Sequence, residues 1–337
     1  MNRTLSSERS RTAASPRVAR QHRRGRRVLV WLGGIAAVLL GLSLLGALYE
    51  SAAERADVRA NPPPGQMVDV GGYRLHINCV GTGSPTVVIE AGMGDWSAAW
   101  SSWVQPDVAK TTRVCTYDRA GYGHSDPGPL PRTAVQFAHE LHTTLEGAQI
   151  PGPYVLAGHS LGGLTVRVFA HDYPADVAGV VLIDSMSPGG VRATPPQTTL
   201  PSALPWIITL PARIGAVRLL TGPLHLKPGV APEVAQSYDA FSVTPRFLQA
   251  YLDEALGIPQ SQAQASAVTS FGALPLIVLS RGLDQEPEWT ALQTGLLQLS
   301  STSEQLIAAT SGHNIAYDQP DAAVGAIVKM VEQIRRQ

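Results

Sequence analysis

The stretch Tyr154–Pro174, YVLAGHSLGGLTVRVFAHDYP, places a Gly-x-Ser-x-Gly motif between an apolar run and an amphipathic run. The apolar run is typical of a buried strand, and the residues after Ser160 are typical of a helix. A sharp turn between the two needs small residues on either side of its apex, and Gly158 and Gly162 supply them. Such a turn exposes the Ser160 hydroxyl and directs the Leu161 N–H towards an oxyanion. The motif therefore predicts a nucleophilic serine on an α/β sheet.

Other uses of a glycine-rich turn or of clustered histidines do not fit the sequence. A dinucleotide-binding turn reads Gly-x-Gly-x-x-Gly and a P-loop requires Gly-Lys-Ser/Thr, and GHSLGG matches neither pattern. His139 and His142 occur in HELH, which lacks the His-Glu-x-x-His spacing of a zinc site. We therefore expect neither a cofactor nor a metal.

From Met67 onward, strand-like runs alternate with helical periodicity. This alternation predicts a mostly parallel sheet with helices on both faces. The segment at about 187–272 interrupts it with proline-punctuated helical pieces, and we interpret it as a cap over the carboxyl ends of the strands, where ligands bind in such sheets. Within this segment, Trp206, Ile207 and Ile208 suggest an apolar ceiling over Ser160.

A serine hydroxyl needs a base, which in this order of elements comes last in the chain. Of the nine histidines, His313 alone lies between the last predicted strand and the closing helix. A third group must orient the imidazole and stabilise its charged form. We expect Asp284, just after the penultimate strand, to do so, with Asp184 and Glu286 as the competing candidates.

The stretch IEAGMGDW follows the third predicted strand, where a second oxyanion donor is expected. We assign that role to the Met93 N–H, beside the Leu161 N–H. Trp96, Trp100 and Trp103 follow closely, and we expect them to pack beneath the cap.

The amino-terminal region is organised differently. Residues 1–27 contain nine arginines and one acid, and residues 28–49 contain no charge. An apolar run of that length predicts a transmembrane helix, and the arginines predict a cytoplasmic amino terminus and an extracytoplasmic domain. A cleaved signal peptide and secretion is the alternative, whereas nucleic-acid binding is not expected. Residues 50–66, charged and then proline-rich, are interpreted as a linker.

The segments EAGMG, YDRAGYGHSD, GHSLGG, RGLD and SGHNIAYDQPDAAVGAI occur in that order. Together they make residues 67–337 resemble the α/β-hydrolase fold-1 superfamily. The resemblance implies an eight-stranded sheet and a catalytic triad of Ser160, Asp284 and His313. Glu90 departs from the pattern, because many members have a histidine there. Asp118 and Arg119 correspond to residues that hold a loop.

These features favour a membrane-anchored serine hydrolase, a carboxylesterase that cleaves small to medium apolar esters through an acyl-enzyme. An aspartate would replace Ser160 in an epoxide hydrolase or dehalogenase of this superfamily. A peptidase, a C–C bond hydrolase and a cofactor-free peroxidase-like enzyme remain alternatives, as does a ligand-binding protein without activity, because the fold does not determine the substrate.

The chain has two cysteines, Cys79 and Cys115. Free cysteines are commonly small buried apolar residues. The sheet order that the resemblance implies puts their strands, the second and the fourth, side by side, and disulfides persist in the expected extracytoplasmic space. We therefore hypothesise a disulfide between them.

Overall fold

The structure is a computed structural model that describes residues 16–189, 204–221 and 232–337, with the backbone alone over residues 16–25 and at residue 204. The amino-terminal part of the expected basic tail, residues 1–15, lies outside the described residues. So do residues 190–203 and 222–231 of the expected cap.

Eight strands form one sheet. They are β1 (Gln66–Asp69), β2 (Arg74–Val80), β3 (Thr86–Glu90), β4 (Val114–Tyr117), β5 (Tyr154–His159), β6 (Val177–Ile183), β7 (Leu276–Arg281) and β8 (Ser303–Ala308). Their order across the sheet is β1-β2-β4-β3-β5-β6-β7-β8. Pairing is antiparallel from β1 to β2 and from β2 to β4, and parallel between the other neighbours. The predicted eight-stranded, mostly parallel sheet is confirmed.

Helices surround this sheet and extend the chain at its amino-terminal end. They are α1 (Pro16–Ala60), α2 (Ala98–Ser101), α3 (Val104–Val108), α4 (Ala134–Gly147), α5 (Leu161–Asp172), α6 (Leu204–Ile208), α7 (Leu210–Arg213), α8 (Ala216–Thr221), α9 (Pro232–Phe241), α10 (Pro245–Ala267), α11 (Pro287–Leu296), α12 (Ile315–Asp318) and α13 (Pro320–Arg335).

Both faces of the sheet are buried, as the β3 strand illustrates. Successive side chains of a strand point to opposite faces. Val87 and Ile89 join the apolar core shared with α3 and α13, whereas Val88 joins the core shared with α4 and α5. Burial on both sides explains why the central strands are continuous apolar runs.

The described parts of the cap, α6 to α10, lie between β6 and β7 in the chain. Trp96 packs beneath them, with ring centroids 4.1 Å from Tyr238 of α9 and 5.7 Å from Phe247 of α10. The expected ceiling of Trp206, Ile207 and Ile208 is wrong, because these side chains are 54%, 55% and 52% exposed. The aromatic side chains of α9 and α10 cover that part of the domain instead.

The interpretation of residues 50–66 as a linker also needs correction. α1 continues without a break to Ala60, so two thirds of the segment are helical rather than extended. The helix carries Glu50, Glu54 and Asp57, and these acids contact arginines of the cap. Ion pairs with a folded domain explain why a charged stretch without apolar periodicity is helical here.

The structure joins Cys79 and Cys115 in the disulfide that we hypothesised. The two residues are directly opposite each other in the antiparallel pair of β2 and β4. Their Cα atoms are 4.0 Å apart, which is the close spacing of a pair that shares no backbone hydrogen bonds.

Candidate active site

Ser160 lies at the apex of the turn between β5 and α5, with φ at +51°. A residue other than glycine rarely adopts this conformation, so the surrounding structure must enforce it. A Cβ atom on Gly158 would lie 2.7 Å from the Gly162 carbonyl oxygen, and one on Gly162 would lie 2.6 Å from the Ala91 carbonyl oxygen. The two glycines are therefore required by close backbone approach on both sides of the serine.

His313 lies in the loop between β8 and α12, at the carboxyl edge of the sheet. Its Nε2 atom is 3.0 Å from Ser160 Oγ, which is hydrogen-bond distance. The structure therefore brings these two predicted residues together, although 153 positions separate them in the chain.

The acid beside His313 is Asp184, and the expected contact with Asp284 does not form in the described structure. Nδ1 of His313 is 2.6 Å from Asp184 Oδ2. Asp184 follows the last residue of β6 and is fully buried. Asp284 is exposed, and so is Glu286, which precedes α11.

Strand order explains this correction. β6 is the direct neighbour of β5, and Ile183 is paired with His159. Asp184 therefore emerges beside Ser160 at the edge of the sheet. β7 is one strand further away, so Asp284, which comes shortly after that strand, is displaced from the serine by an additional strand spacing. His313 folds back towards β5 and meets the nearer carboxylate.

The end of β7 and helix α11 support Asp184 with hydrogen bonds instead of supplying the acid. The Trp289 indole and the Arg281 backbone N–H donate to Asp184 Oδ1 at 2.9 Å and 3.2 Å. Burial alone would raise the pKa of Asp184, but the hydrogen bonds from His313 and Trp289 and the nearby His313 charge lower it overall. The carboxylate is thus kept ionised and can stabilise a charged imidazole.

His159, directly before the serine, is a site residue that our sequence reasoning missed. Its Nε2 atom is 2.9 Å from the backbone carbonyl oxygen of His313, so Nε2–H donates to that oxygen. Burial and the nearby His313 lower the pKa of His159 to about 4, and the ring is therefore neutral at pH 7. The only sequence signal was its position inside the Gly-x-Ser-x-Gly motif.

The backbone at 92–93 lies against Ser160, as expected of the predicted oxyanion loop. A Cβ atom on Gly92 would be 3.3 Å from Ser160 Cβ. Leu161, the other assigned donor, is the first residue of α5, where backbone N–H groups have no partner within the helix. Both N–H groups therefore belong to segments that adjoin Ser160.

Arg119 holds the loop that carries Met93. Its guanidinium donates to the carbonyl oxygens of Ala91 and Gly92, each at 2.7 Å. The same group pairs with Glu90 at 2.7 Å and with Glu254 of α10 at 2.6 Å. Arg119 is 2% exposed, so it joins the loop, the end of β3 and the cap in one buried network.

The network also accounts for the unusual Glu90. Burial raises the pKa of this carboxyl to about 7, although Arg119 and a hydrogen bond from Tyr117 oppose the rise. The residue that departs from the family pattern is thus a partner of the structural arginine.

A second carboxyl near the site, the partly buried Asp95, lies two residues after Met93. The Tyr238 hydroxyl of α9 donates to it at 3.0 Å, and that hydroxyl is 2.7 Å from the Tyr317 hydroxyl. Burial raises the pKa of Asp95 to about 6. This chain of polar groups connects the loop after β3, the cap and the segment after His313.

Among the described residues, His76, Asp118 and His124 are close enough together to bind a metal ion. Both ring nitrogens of His76 are already in hydrogen bonds, with Asp118 Oδ2 and with the Pro64 carbonyl oxygen. Nε2 of His124 is 3.0 Å from the Asn61 carbonyl oxygen. The cluster therefore attaches residues 61–64 to the domain, in keeping with the structural role expected of Asp118.

The sheet, the cap and the site at the carboxyl edge of the strands are together those of a hydrolase fold. A sequence profile described as alpha/beta hydrolase fold matches residues 85–263. This match spans more than half of the chain, and the protein belongs to the α/β hydrolase fold family.

Individual relatives are similar at lower identity. The chain is 28% identical over 245 residues to the uncharacterized protein YqjL of Bacillus subtilis, a match that covers 71% of this chain and 81% of YqjL. Three fungal relatives are 32–36% identical over 34–35% of this chain. The matched region is only 18–20% of the length of those relatives.

Two solved structures are similar in fold. The epoxide hydrolase CorEH superimposes with a TM-score of 0.61 at 18% identity, covering 80% of this chain and 99% of CorEH. An esterase from Thermogutta terrifontis gives a TM-score of 0.59 at 21% identity, covering 80% of this chain and 98% of the esterase. At these identities the similarity shows the fold alone.

Proposed function

We propose that the protein is a serine hydrolase, most simply a carboxylesterase. The observation that carries this proposal is the continuous chain of hydrogen bonds from Ser160 Oγ through His313 to the buried Asp184, with distances of 3.0 Å and 2.6 Å. This chain contains a nucleophile, a base and a group that orients the base.

In the proposed reaction, Ser160 Oγ attacks the ester carbonyl carbon while His313 Nε2 takes the hydroxyl proton. The N–H groups of Met93 and Leu161 stabilise the oxyanion of the tetrahedral intermediate. His313 then returns the proton to the leaving alkoxide, and an acyl-enzyme remains. Water, activated by His313, releases the acid and regenerates Ser160. Asp184 stabilises the imidazolium in both halves of the cycle.

The nucleophile separates this proposal from the activity named for CorEH, because a family member that opens epoxides would carry an aspartate at position 160. Trp96 packs against Tyr238 and Phe247 on the inner side of the cap, and this apolar inner side supports small to medium apolar esters as substrates. Peptide hydrolysis, C–C bond hydrolysis, a peroxidase-like reaction and simple ligand binding remain alternatives, because each is compatible with the same three side chains.

We further propose that α1 anchors the enzyme in a membrane, with the catalytic domain on the extracytoplasmic side. Residues 26–60 form one helix long and apolar enough to cross a bilayer. The arginines before it favour a cytoplasmic amino terminus. A disulfide between Cys79 and Cys115 is typical of proteins outside the reducing cytoplasm, which supports this orientation. A secreted form, cleaved after the apolar segment, is the alternative.

The activity is tested by labelling the full-length protein with a fluorophosphonate probe. We expect the native protein to be labelled and Ser160→Ala to lose both labelling and ester hydrolysis. Ser301→Ala, which changes an exposed serine distant in sequence from Ser160, is the control. Its labelling and ester hydrolysis should equal those of the native protein. Undiminished ester hydrolysis by pure Ser160→Ala would overturn the proposal.

The anchor is tested by adding protease to intact spheroplasts. Cleavage on the carboxyl side of Tyr49 with a protected arginine tail is the expected result. A soluble mature form that begins near Ala47 or Ala53 would establish secretion instead.

A further inference from the structure

The described part of the cap carries an outward-facing apolar surface on three short helices, α6 to α8. Six large apolar side chains between positions 206 and 220 form what we call the apolar cap surface, and each is 41–85% exposed: Trp206, Ile207, Ile208, Leu210, Leu219 and Leu220. Single exposed apolar residues are normal on a water-soluble protein, whereas a concentrated group marks a contact surface. The position of this surface relative to α1 indicates what it contacts.

The turn between α7 and α8 rests directly against α1 at the end of its apolar segment. A Cβ atom on Gly46 would overlap the backbone carbonyl of Ile214, and one on Gly215 would lie 2.9 Å from Tyr49 Cδ1. Gly46 and Tyr49 are in the last turn of the uncharged segment 28–49. The helices on both sides of this turn are therefore level with the boundary where α1 leaves the apolar environment.

Ion pairs fix the cap to α1 just beyond this boundary. Arg218 of α8 donates to both carboxylate oxygens of Glu50 at 3.0 Å and to Asp57 at 2.7 Å. Arg246 of α10 lies 3.3 Å from Glu54. Glu50 is the first charged residue after the apolar segment and is 3% exposed. These charged side chains of α1 and the cap are thus paired with each other. The side chains of Leu219 and Leu220, next to Arg218, are exposed on the outer side of the cap.

We infer that the apolar cap surface inserts into the outer leaflet of the same bilayer that holds α1. The inference rests on the proposed anchor, and it adds a second, monotopic contact made by the cap itself. An apolar surface at this level meets lipid rather than water, because the turn between its helices adjoins the end of the apolar segment at Gly46 and Tyr49. Burial in the leaflet removes the exposed area of six large side chains from water, which stabilises the contact.

The test uses the full-length protein in nanodiscs of phosphatidylcholine and phosphatidylglycerol, with a nitroxide label at one introduced cysteine. Leu220→Cys reports on the apolar cap surface, and Leu39→Cys marks the middle of the apolar segment. Ile307→Cys, on β8 and 50% exposed, is the matched control for an apolar residue in water. Collision rates with oxygen and with a water-soluble nickel complex distinguish lipid from water.

The label at 220 should collide with oxygen and lose its collisions with nickel, as the label at 39 does, while the label at 307 collides with nickel. Nickel access at 220 equal to that at 307 would overturn the inference. Protection at 220 from both reagents would also overturn it, because it would indicate contact with a second protein copy. Nickel access at 39 would show that the anchor is absent, whereas fluorophosphonate labelling reports on catalysis independently.

A second pair of variants tests the seating of the cap on α1. Gly46→Leu should push the turn at Ile214 away and restore nickel access at 220. Gly41→Leu is the matched control, because no atom lies within 4 Å of a Cβ at that position. If both variants leave the label at 220 protected, the contact at Gly46 does not hold the surface in place, and the inference loses its structural basis.

Discussion

The indole N–H of Trp289 donates to Oδ1 of Asp184 at 2.9 Å, across 105 positions of the chain. Since Oδ2 of the same carboxylate is used by His313, both oxygens of Asp184 have fixed partners. The Arg281 guanidinium lies over the Trp289 ring, 4.9 Å from its centroid, and completes the wall around the acid. The segment after β7 thus contributes to the site by orienting an acid from β6.

This arrangement predicts that Asp184→Asn is far more damaging than Asp284→Asn. An amide cannot stabilise the imidazolium, and it favours the wrong tautomer of His313, so we expect kcat/KM for a soluble ester to fall by about 10⁴-fold. Asp284→Asn and Glu286→Gln, both at exposed positions, should retain nearly full activity. A larger loss in Asp284→Asn than in Asp184→Asn would contradict the assignment.

The second prediction concerns acid stability and His159. Burial lowers the pKa of His159 from 6.5 to about 4. Between these two pH values the imidazole is protonated in the unfolded chain and neutral in the folded protein. His159 therefore reduces stability as the pH falls from about 6.5 to about 4 and has no such effect above 6.5. The full difference corresponds to about 3 kcal/mol.

The corresponding measurement is the free energy of unfolding of the native protein and of His159→Gln between pH 4 and 8. Glutamine does not titrate and can still donate to the His313 carbonyl, so the variant should lose less stability on acidification. Parallel pH profiles for the two proteins would show that His159 is protonated in the folded state.

A third prediction concerns the buried arginine. Arg119→Met would leave Glu90 and Glu254 buried without their cation, and we expect the free energy of unfolding to fall by about 3–5 kcal/mol. Arg74→Met is the control, because the Arg74–Asp126 pair has side chains 57% and 35% exposed. An exposed pair of this kind contributes about 0–1 kcal/mol. Equal losses in the two urea titrations would argue against the network.

The fourth prediction concerns the disulfide. Its cysteines are 36 positions apart, and closing a loop of that size stabilises a fold by about 3–4 kcal/mol in the chain-entropy account. The double variant Cys79→Ala/Cys115→Ala should therefore unfold at a lower urea concentration than the native protein. Thiol titration in denaturant, on protein purified without reductant, should find no free thiol; two free thiols would refute the bridge.

Much of the fold followed from local sequence. The turn at Ser160 depends on the nearby Gly158 and Gly162, which permit close backbone approach, so the serine and its strand were predictable. His313 was predictable because it follows the last strand. The choice of acid was different, since Asp184 and Asp284 both follow buried strands. They differ in that Asp184 follows the strand beside β5 and Asp284 follows a strand one position further away, and this order of strands is a long-range property.

The remaining errors have the same origin. The helix beyond Tyr49 is stabilised by Arg218 and Arg246, which are distant in the chain, so its own sequence resembles a linker. Trp206 was assigned to the interior because it is apolar, although its surroundings leave it exposed. The role of His159 could not be predicted from a sequence pattern, because its hydrogen-bond partner is a backbone carbonyl of the distant His313.

The continuous helix α1 has a further consequence for a protein anchored as we propose. From Glu50 to Ala60 it rises by about 15 Å at 1.5 Å per residue, and ion pairs fix it to the cap. A domain joined to its anchor by a flexible linker would sample many distances from the membrane and many orientations. A domain fixed to a continuous transmembrane helix keeps one distance from the membrane and one orientation. Such an enzyme would search for substrate in two dimensions, by drifting laterally and spinning about the membrane normal.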